Sequence, residues 1–269
     1  MRLARLLLSV VVLLGGVSAA AATEPAALAR ARTLYNQADY EGAINAALVA
    51  QQEPPWADAA ALVIARAHLE RYRAGANPAD LAQARETLRA VRADALTPRD
   101  QVDLVIGLGQ ALYLGELFGA AAELFESALS QSVLIGDHDR LMLLDWWATA
   151  LDREAQTRPL DGRPRLFERI GSRMEIELRD DAANPVANYW LAVAARGTGD
   201  VDRAWNAAIA AWLRSGLRPE SAEKLRTDID RLVTQALVAE RARVHPAAEQ
   251  QQAAAGMRAE WARVKEQWK

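Results

Sequence analysis

The chain has 269 residues, about a quarter of them charged and half apolar, and it contains no cysteine. Disulfide scaffolds, thiolate zinc sites, cysteine nucleophiles and cysteine-borne lipid anchors are thereby excluded. Its 58 alanines, set against a thin supply of Ile, Val and Thr, favour helix over strand, and a net charge of −3 lacks the basic surplus of a nucleic-acid binder.

The first segment reads as an address. Two arginines stand in Met1–Arg5, and the 17 residues Leu6–Ala22 then run without a charge into the small-residue block Ala20-Ala21-Ala22. This is the layout of a secretory signal peptide, with cleavage expected after Ala22 and a periplasmic or extracellular destination. The alternative is an uncleaved anchor, because the uncharged run reaches the lower limit of a membrane span. Cleavage leaves 30 basic against 35 acidic side chains. An exported chain with no disulfide to form must be held by burial and helix packing alone.

Further along, Asn77-Pro78, Thr97-Pro98 and Asn184-Pro185 each place a capping side chain before a proline. Proline suits the first helical position, where its missing N–H costs nothing, so helices are expected to begin near residues 78, 98 and 185. Other breaks fall at Glu53-Pro54-Pro55, Gly136-Asp137, Arg158-Pro159 through Arg163-Pro164, Gly197-Thr198-Gly199 and Arg218-Pro219. Between them, apolar positions recur three and four apart, which predicts about twelve helices and no strand.

The segments repeat. Asp39-Tyr40-Glu41-Gly42-Ala43, Leu117-Phe118-Gly119-Ala120-Ala121 and Asp200-Val201-Asp202-Arg203-Ala204 each carry a turn, a large apolar residue and, three residues on, an alanine. Twelve residues before those alanines stand Ala31, Gly109 and Ala192. Small residues on both helices of a pair let two backbones approach closely. Gly107-Leu108-Gly109 is accordingly read as close helix packing, not as a phosphate loop.

This pattern resembles the tetratricopeptide repeat, a helix-turn-helix unit of about 34 residues. Leu108-Gly109, Leu112, Ala121, Phe125 and Ala128 form the best copy, and Leu191-Ala192, Ala204, Ala208 and Ala211 the next. Ala84 marks a degenerate second copy, and helices near 138–156 and 164–181 supply a fourth pair by position only. The resemblance implies an all-α, right-handed solenoid of about five helix pairs over residues 23–216, followed by C-terminal capping helices over 217–269. It also implies a concave groove lined by the first helix of each pair, with Arg32, Tyr35, Asn36, Gln110, Tyr113, Tyr189 and Arg196 as groove-facing candidates. The family's chaperone-binding members clamp a C-terminal carboxylate with basic and asparagine side chains. Asp103, Ile106 and Gln110, which occupy the corresponding positions, do not reproduce that clamp.

Signals for catalysis are sparse. His68, His138 and His245 lie far apart, with no partner at ligand spacing, so no metal or cofactor is expected. Asp137-His138-Asp139 is the densest polar cluster and reads first as an acidic N-cap. Trp146, Trp147, Trp190, Trp205 and Trp212 are expected in the core. Met257, Trp261, Val264 and Trp268 form a stripe at helical spacing on the last helix, able to dock on its neighbours or on a partner. The leading expectation is a non-catalytic envelope scaffold that binds a protein or peptide, with no nucleic acid and no small-molecule cofactor. One rival is an envelope enzyme, or the helical accessory domain of a cell-wall enzyme, with Asp137, Asp139 and Glu168 as first candidates. The other is a structural oligomer assembled through the C-terminal tryptophan stripe.

Overall fold

The computed structural model describes residues 23–268; the expected signal segment lies outside them. Described residues form helices and no strand. In chain order these are α1 (Ala26–Asn36), α2 (Tyr40–Ala50), α3 (Ala57–Gly75), α4 (Pro78–Ala90), α5 (Pro98–Tyr113) and α6 (Phe118–Leu129). There follow α7 (Asp137–Thr157), α8 (Arg163–Asp180), α9 (Pro185–Gly197), α10 (Val201–Arg214), α11 (Pro219–Leu232), α12 (Val238–Ala242) and α13 (Gln250–Gln267). A π turn, Val233–Leu237, joins α11 to α12 in one continuous rod. No helix among the described residues is long and apolar enough to cross a membrane.

The helix starts follow local chemistry. Pro78, Pro98 and Pro185 open α4, α5 and α9, and the side chains before them cap the free amides: Asn77 accepts from Ala79 N at 3.1 Å, Thr97 from Asp100 N at 3.2 Å and Asn184 from Ala187 N at 3.0 Å. At α7 the cap position belongs to Gly136, so Asp137 and Asp139 stand inside the first turn. There they face the positive helix end without closing it.

The turns between α1 and α2, α5 and α6, and α9 and α10 share one geometry. Ala38, Glu116 and Gly199 adopt left-handed φ values of 60°, 62° and 85°. The next residue donates back across the turn each time, Asp39 to Leu34 O, Leu117 to Leu112 O and Asp200 to Ala195 O, all at 3.0 Å. These are Schellman endings, with the left-handed residue five positions before Ala43, Ala121 and Ala204 respectively. Asp39 and Asp200 then cap the following helix through Gly42 N and Arg203 N. Leu117 has no side chain to do so, and Glu154 of α7 accepts from Gly119 N at 3.0 Å instead.

Alanine sits where the backbones meet. Ala31, Ala43, Ala84, Ala121, Ala192 and Ala204 are all fully buried. Gly109 fits the same role, because a Cβ there would lie 2.5 Å from the Phe125 ring of α6. Helices adjacent in sequence pack together within each of these pairs, and α1 also touches α3, α3 touches α5, α7 touches α9 and α9 touches α11. An ion pair from Arg99 to Asp139 (2.8 Å) and the edge of Tyr113 on Trp146 join α5 to α7. The odd-numbered helices therefore form one file from α1 to α11. Arginines tie the even ones: Arg169 of α8 to Glu123 and Glu126 of α6, Arg203 of α10 to Glu175 of α8, and Arg241 of α12 to Asp202 of α10.

Trp147, Trp190, Trp205 and Trp212 are buried, and Trp146 is half-buried. The C-terminal stripe docks within the chain. Trp261 is buried against Trp205 and Trp212, Met257 and Val264 pack on the same cluster, and Trp268 is 55 % exposed.

Asp230 of α11 anchors that last helix, accepting from Trp261 Nε1 at 2.8 Å and from Lys265 Nζ at 2.6 Å. Burial alone would raise its pKa, but the Lys265 ammonium and the Trp261 N–H outweigh burial and hold the carboxyl below its ordinary value. A folded pKa below the unfolded one gives stability that is complete above about pH 4 and is lost as pH falls through the depressed value. Urea melts of the wild type and Asp230→Asn should therefore differ by a constant amount from about pH 7 to 5, with the difference shrinking progressively as pH falls below about 4. A pH-independent difference would show that the carboxylate charge does not hold α13.

Candidate functional site

Four odd-numbered helices, α1, α3, α5 and α7, joined by Tyr40 of α2 and Phe125 of α6, line a cavity of about 760 Å³. Its wall combines aromatic and aliphatic side chains, Tyr35, Tyr40, Leu62, Val63, Ile106, Phe125, Met142, Leu143 and Trp146, with a dense set of charges. Cavities of this size hold a drug-sized molecule or a few residues of chain.

The charges come in pairs. Arg32 donates to both Asp100 oxygens at 2.9 and 3.2 Å, reaching from α1 across to α5, and its Nε lies 2.9 Å from Glu24. Arg66 of α3 pairs with Asp103 at 3.2 Å while its guanidinium covers the Tyr35 ring at 4.8 Å. Arg73, seven residues along the same helix face, pairs with Glu70 at 2.6 Å and covers Trp146 at 4.9 Å. Arg99 bridges Asp103 and Asp139 and donates to Leu134 O at 2.8 Å. Burial opposes the Arg66 charge, but Tyr35, Asp103 and Asp139 outweigh it. Burial likewise pushes the Tyr35 phenol above its ordinary value, against the pull of Arg66.

The pairing leaves a remainder. Five buried side-chain polar atoms among the described residues make no hydrogen bond, and four of them belong to residues of this cavity: Arg32 Nε, Arg66 Nε, Asp103 Oδ1 and Gln110 Oε1. Arg32 Nε has the Glu24 carboxylate beside it, out of line for a hydrogen bond, and Asp103 Oδ1 has Arg99 at 3.4 Å. Gln110 is 5 % exposed and its carbonyl has nothing. Buried polar groups are nearly always satisfied, so a cluster of unsatisfied ones in a hollow marks a place for a ligand or water. The fifth atom, Trp147 Nε1, lies in the core outside the cavity wall.

Of the groove candidates, Arg32, Tyr35, Asn36 and Gln110 line this one cavity. Tyr113 stands behind it, half-buried and edge-on to Phe118 and Trp146. Tyr189 is half-buried against Trp190 on α9, and Arg196 makes a two-toothed ion pair with Glu240 of α12, so neither shares the cavity. Asp139 and His138 line it, Asp137 is exposed beside it, and Glu168 lies at a separate shallow hollow on α8. These carboxylates are not brought together. Asp152 of α7, which has no feature in sequence to single it out, is raised by burial, with Arg153, Gln156 and Arg196 acting the other way. It lines neither hollow. No group of three or more His, Asp or Glu among the described residues is arranged to hold a metal ion.

No groove candidate in the sequence falls on α3, yet Arg66, Glu70 and Arg73 come from it. The α3–α4 segment has no motif on its first helix from which a register could be counted. The only signal was the seven-residue spacing of Arg66 and Arg73, which matches that of Asp103 and Gln110 on α5.

No protein-family model matches the chain, and no curated protein matches it either.

Proposed function

We propose that the chain is a non-catalytic scaffold of the cell envelope, built as a right-handed α-solenoid of tetratricopeptide-like helix pairs, that holds a protein partner in the hollow along its odd-numbered helices. The repeat reading is supported by the three identical Schellman turns and by the buried small residues in matching positions. Export rests on the hydrophobic leader in the sequence. The observation that carries the binding role is the cavity whose wall retains unpartnered donors and acceptors. A folded chain tolerates such atoms where a bound molecule completes them.

Met142 gives a clean test, since it lines the cavity and is 42 % exposed. Met142→Arg places a long cation in the hollow without disturbing the core. Affinity capture from envelope extract should lose the partners held by wild type by about tenfold, as expected when one contact region contributes above 1 kcal/mol. Unchanged recovery on the Met142→Arg chain would remove the cavity from the binding surface.

A further inference from the structure

Resting on that reading, we infer that the cavity selects an uncharged, extended stretch of polypeptide, gripping its backbone amides and turning away free carboxylates and acidic side chains. The four cavity arginines already face carboxylates: Arg32 with Asp100, Arg66 with Asp103, Arg73 with Glu70 and Arg99 with Asp139. An anionic ligand would have to displace one of these acids to reach a guanidinium. A cation meets the converse obstacle. What the wall has left over is mixed in kind: Arg66 Nε lacks an acceptor and Gln110 Oε1 lacks a donor, while Asp103 Oδ1 has the Arg99 guanidinium 3.4 Å away but no hydrogen bond. A peptide group is neutral and carries both an N–H and a C=O, so one ligand chain answers both needs.

Spacing favours a chain over a small molecule. Asp103 and Gln110 are seven residues apart on α5, which puts them about 10 Å apart along the helix axis. The Arg66 side chain lies between them, since a Cβ on Gly107 would be 3.7 Å from its Cγ. An extended chain advances about 3.3 Å per residue, so about three residues span that distance. The cavity's aliphatic wall, Val63, Ile106 and Leu143, suits the small uncharged side chains that would turn inward.

A saccharide would also bring paired donors and acceptors, but it needs open aromatic faces to stack on. Here guanidinium groups cover Tyr35 and Trp146, each on one face, at 4.8 and 4.9 Å. The arrangement also departs from a clamp for a chain terminus, because no arginine in the wall stands without its acid.

The test uses the full chain, immobilised, and hexapeptide pools read by mass spectrometry. The first pool is N-acetylated and C-amidated, with its inner positions drawn from Ala, Val, Ser, Thr, Asn and Gln. A second carries Asp or Glu at two inner positions, a third leaves the C-terminal carboxylate free, and maltotetraose and chitotetraose stand for neutral glycans. The blocked neutral pool should be retained about tenfold above the others, and Gln110→Leu, which removes the orphan acceptor at similar volume, should lower retention about tenfold. Because Gln110 is buried, melting of that variant is followed by circular dichroism. Met142→Arg, at an exposed position, is the second variant and should abolish retention. Stronger retention of an acidic or free-carboxylate pool, lost in Met142→Arg, would overturn the neutral selectivity and leave the protein-binding reading standing. Retention of the glycans in place of peptides, or of nothing at all, overturns the inference outright. The extract capture above then decides the broader reading separately.

Discussion

Replacing Trp261 by alanine should destabilise the chain by about 3–5 kcal/mol, the range for deleting a large buried aromatic. Three contributions are lost together. The indole is 2 % exposed, so its removal opens a void that the surrounding helices only partly fill. Its edge-to-face contacts with Trp205 and Trp212, at centroid distances of 6.3 and 5.4 Å, each contribute about 0.5–1.5 kcal/mol beyond burial. Its N–H to Asp230 also disappears, although Lys265 remains to satisfy that carboxylate. Because α13 has only Trp261 fully buried, the helix should become susceptible to proteolysis while α1 to α9 stay protected. Urea denaturation gives the magnitude and limited proteolysis the location. Trp268→Ala is the control: more than half exposed at the residue that ends the same helix, it should change stability by no more than about 0.5 kcal/mol. A Trp261→Ala cost near that of the control would mean that α13 is not held where the structure places it.

The docked α13 also bears on how a C-terminal tryptophan stripe should be read. Spacing at three and four residues identifies a face, and it does so correctly for Met257, Trp261 and Val264. It does not say whether the matching face belongs to the same chain. Here the match is local, since α10 presents Trp205 and Trp212 seven residues apart to the Trp261 ring and α11 presents Asp230 to the Trp261 N–H. The stripe is consumed internally except at Trp268, whose carbonyl accepts from Trp212 Nε1 at 3.1 Å while its ring faces outward.

Local chemistry was legible wherever one residue type has one use. Proline after Asn or Thr located the starts of α4, α5 and α9 to the residue, because ring geometry and the side-chain cap both act within a single turn. The buried alanines were legible from their spacing against large apolar neighbours. The turn conformation was half hidden: glycine marks the left-handed residue at Gly199, but Ala38 and Glu116 take the same conformation without that signature. The same backbone hydrogen bonds close all three turns at a common offset of five residues before Ala43, Ala121 and Ala204.

The cavity was legible only in part, and the reason is range. Arg32 and Asp100 are 68 residues apart and Arg99 and Asp139 are 40 apart, so pairing them requires the stacking distance of α1, α3, α5 and α7. Tyr113 and Tyr189 are groove candidates by their amphipathic character. The structure uses that character to pack them against Trp146 and Trp190. The residues left unsatisfied, Arg66 and Gln110 above all, are notable for what they lack, and sequence does not report a missing partner.

Gly109 offers the sharpest test of the packing between α5 and α6. Gly109→Ala should cost about 1–3 kcal/mol, although alanine is the better helix former, because overpacking outweighs intrinsic propensity. The added methyl would stand 2.5 Å from Phe125 Cε1 and 2.8 Å from Cδ1, so the ring or the whole of α6 must move. The ring has little room: it is fully buried and lies edge-on to Trp146 at 5.7 Å. Phe125→Leu alone should also destabilise, by about 1–2 kcal/mol for the lost volume. Combined, the two changes should recover part of each other's cost, giving a favourable coupling of about 1 kcal/mol or more, since the smaller side chain vacates the space the methyl needs. Gly75→Ala serves as the reference, because nothing lies within 4 Å of a Cβ there, and it should be neutral or slightly stabilising. Chemical denaturation of the four chains of the cycle measures the coupling directly. Additive costs for Gly109→Ala and Phe125→Leu would mean that α5 and α6 do not touch through this pair, and that glycine at position 109 is there for some reason other than close approach.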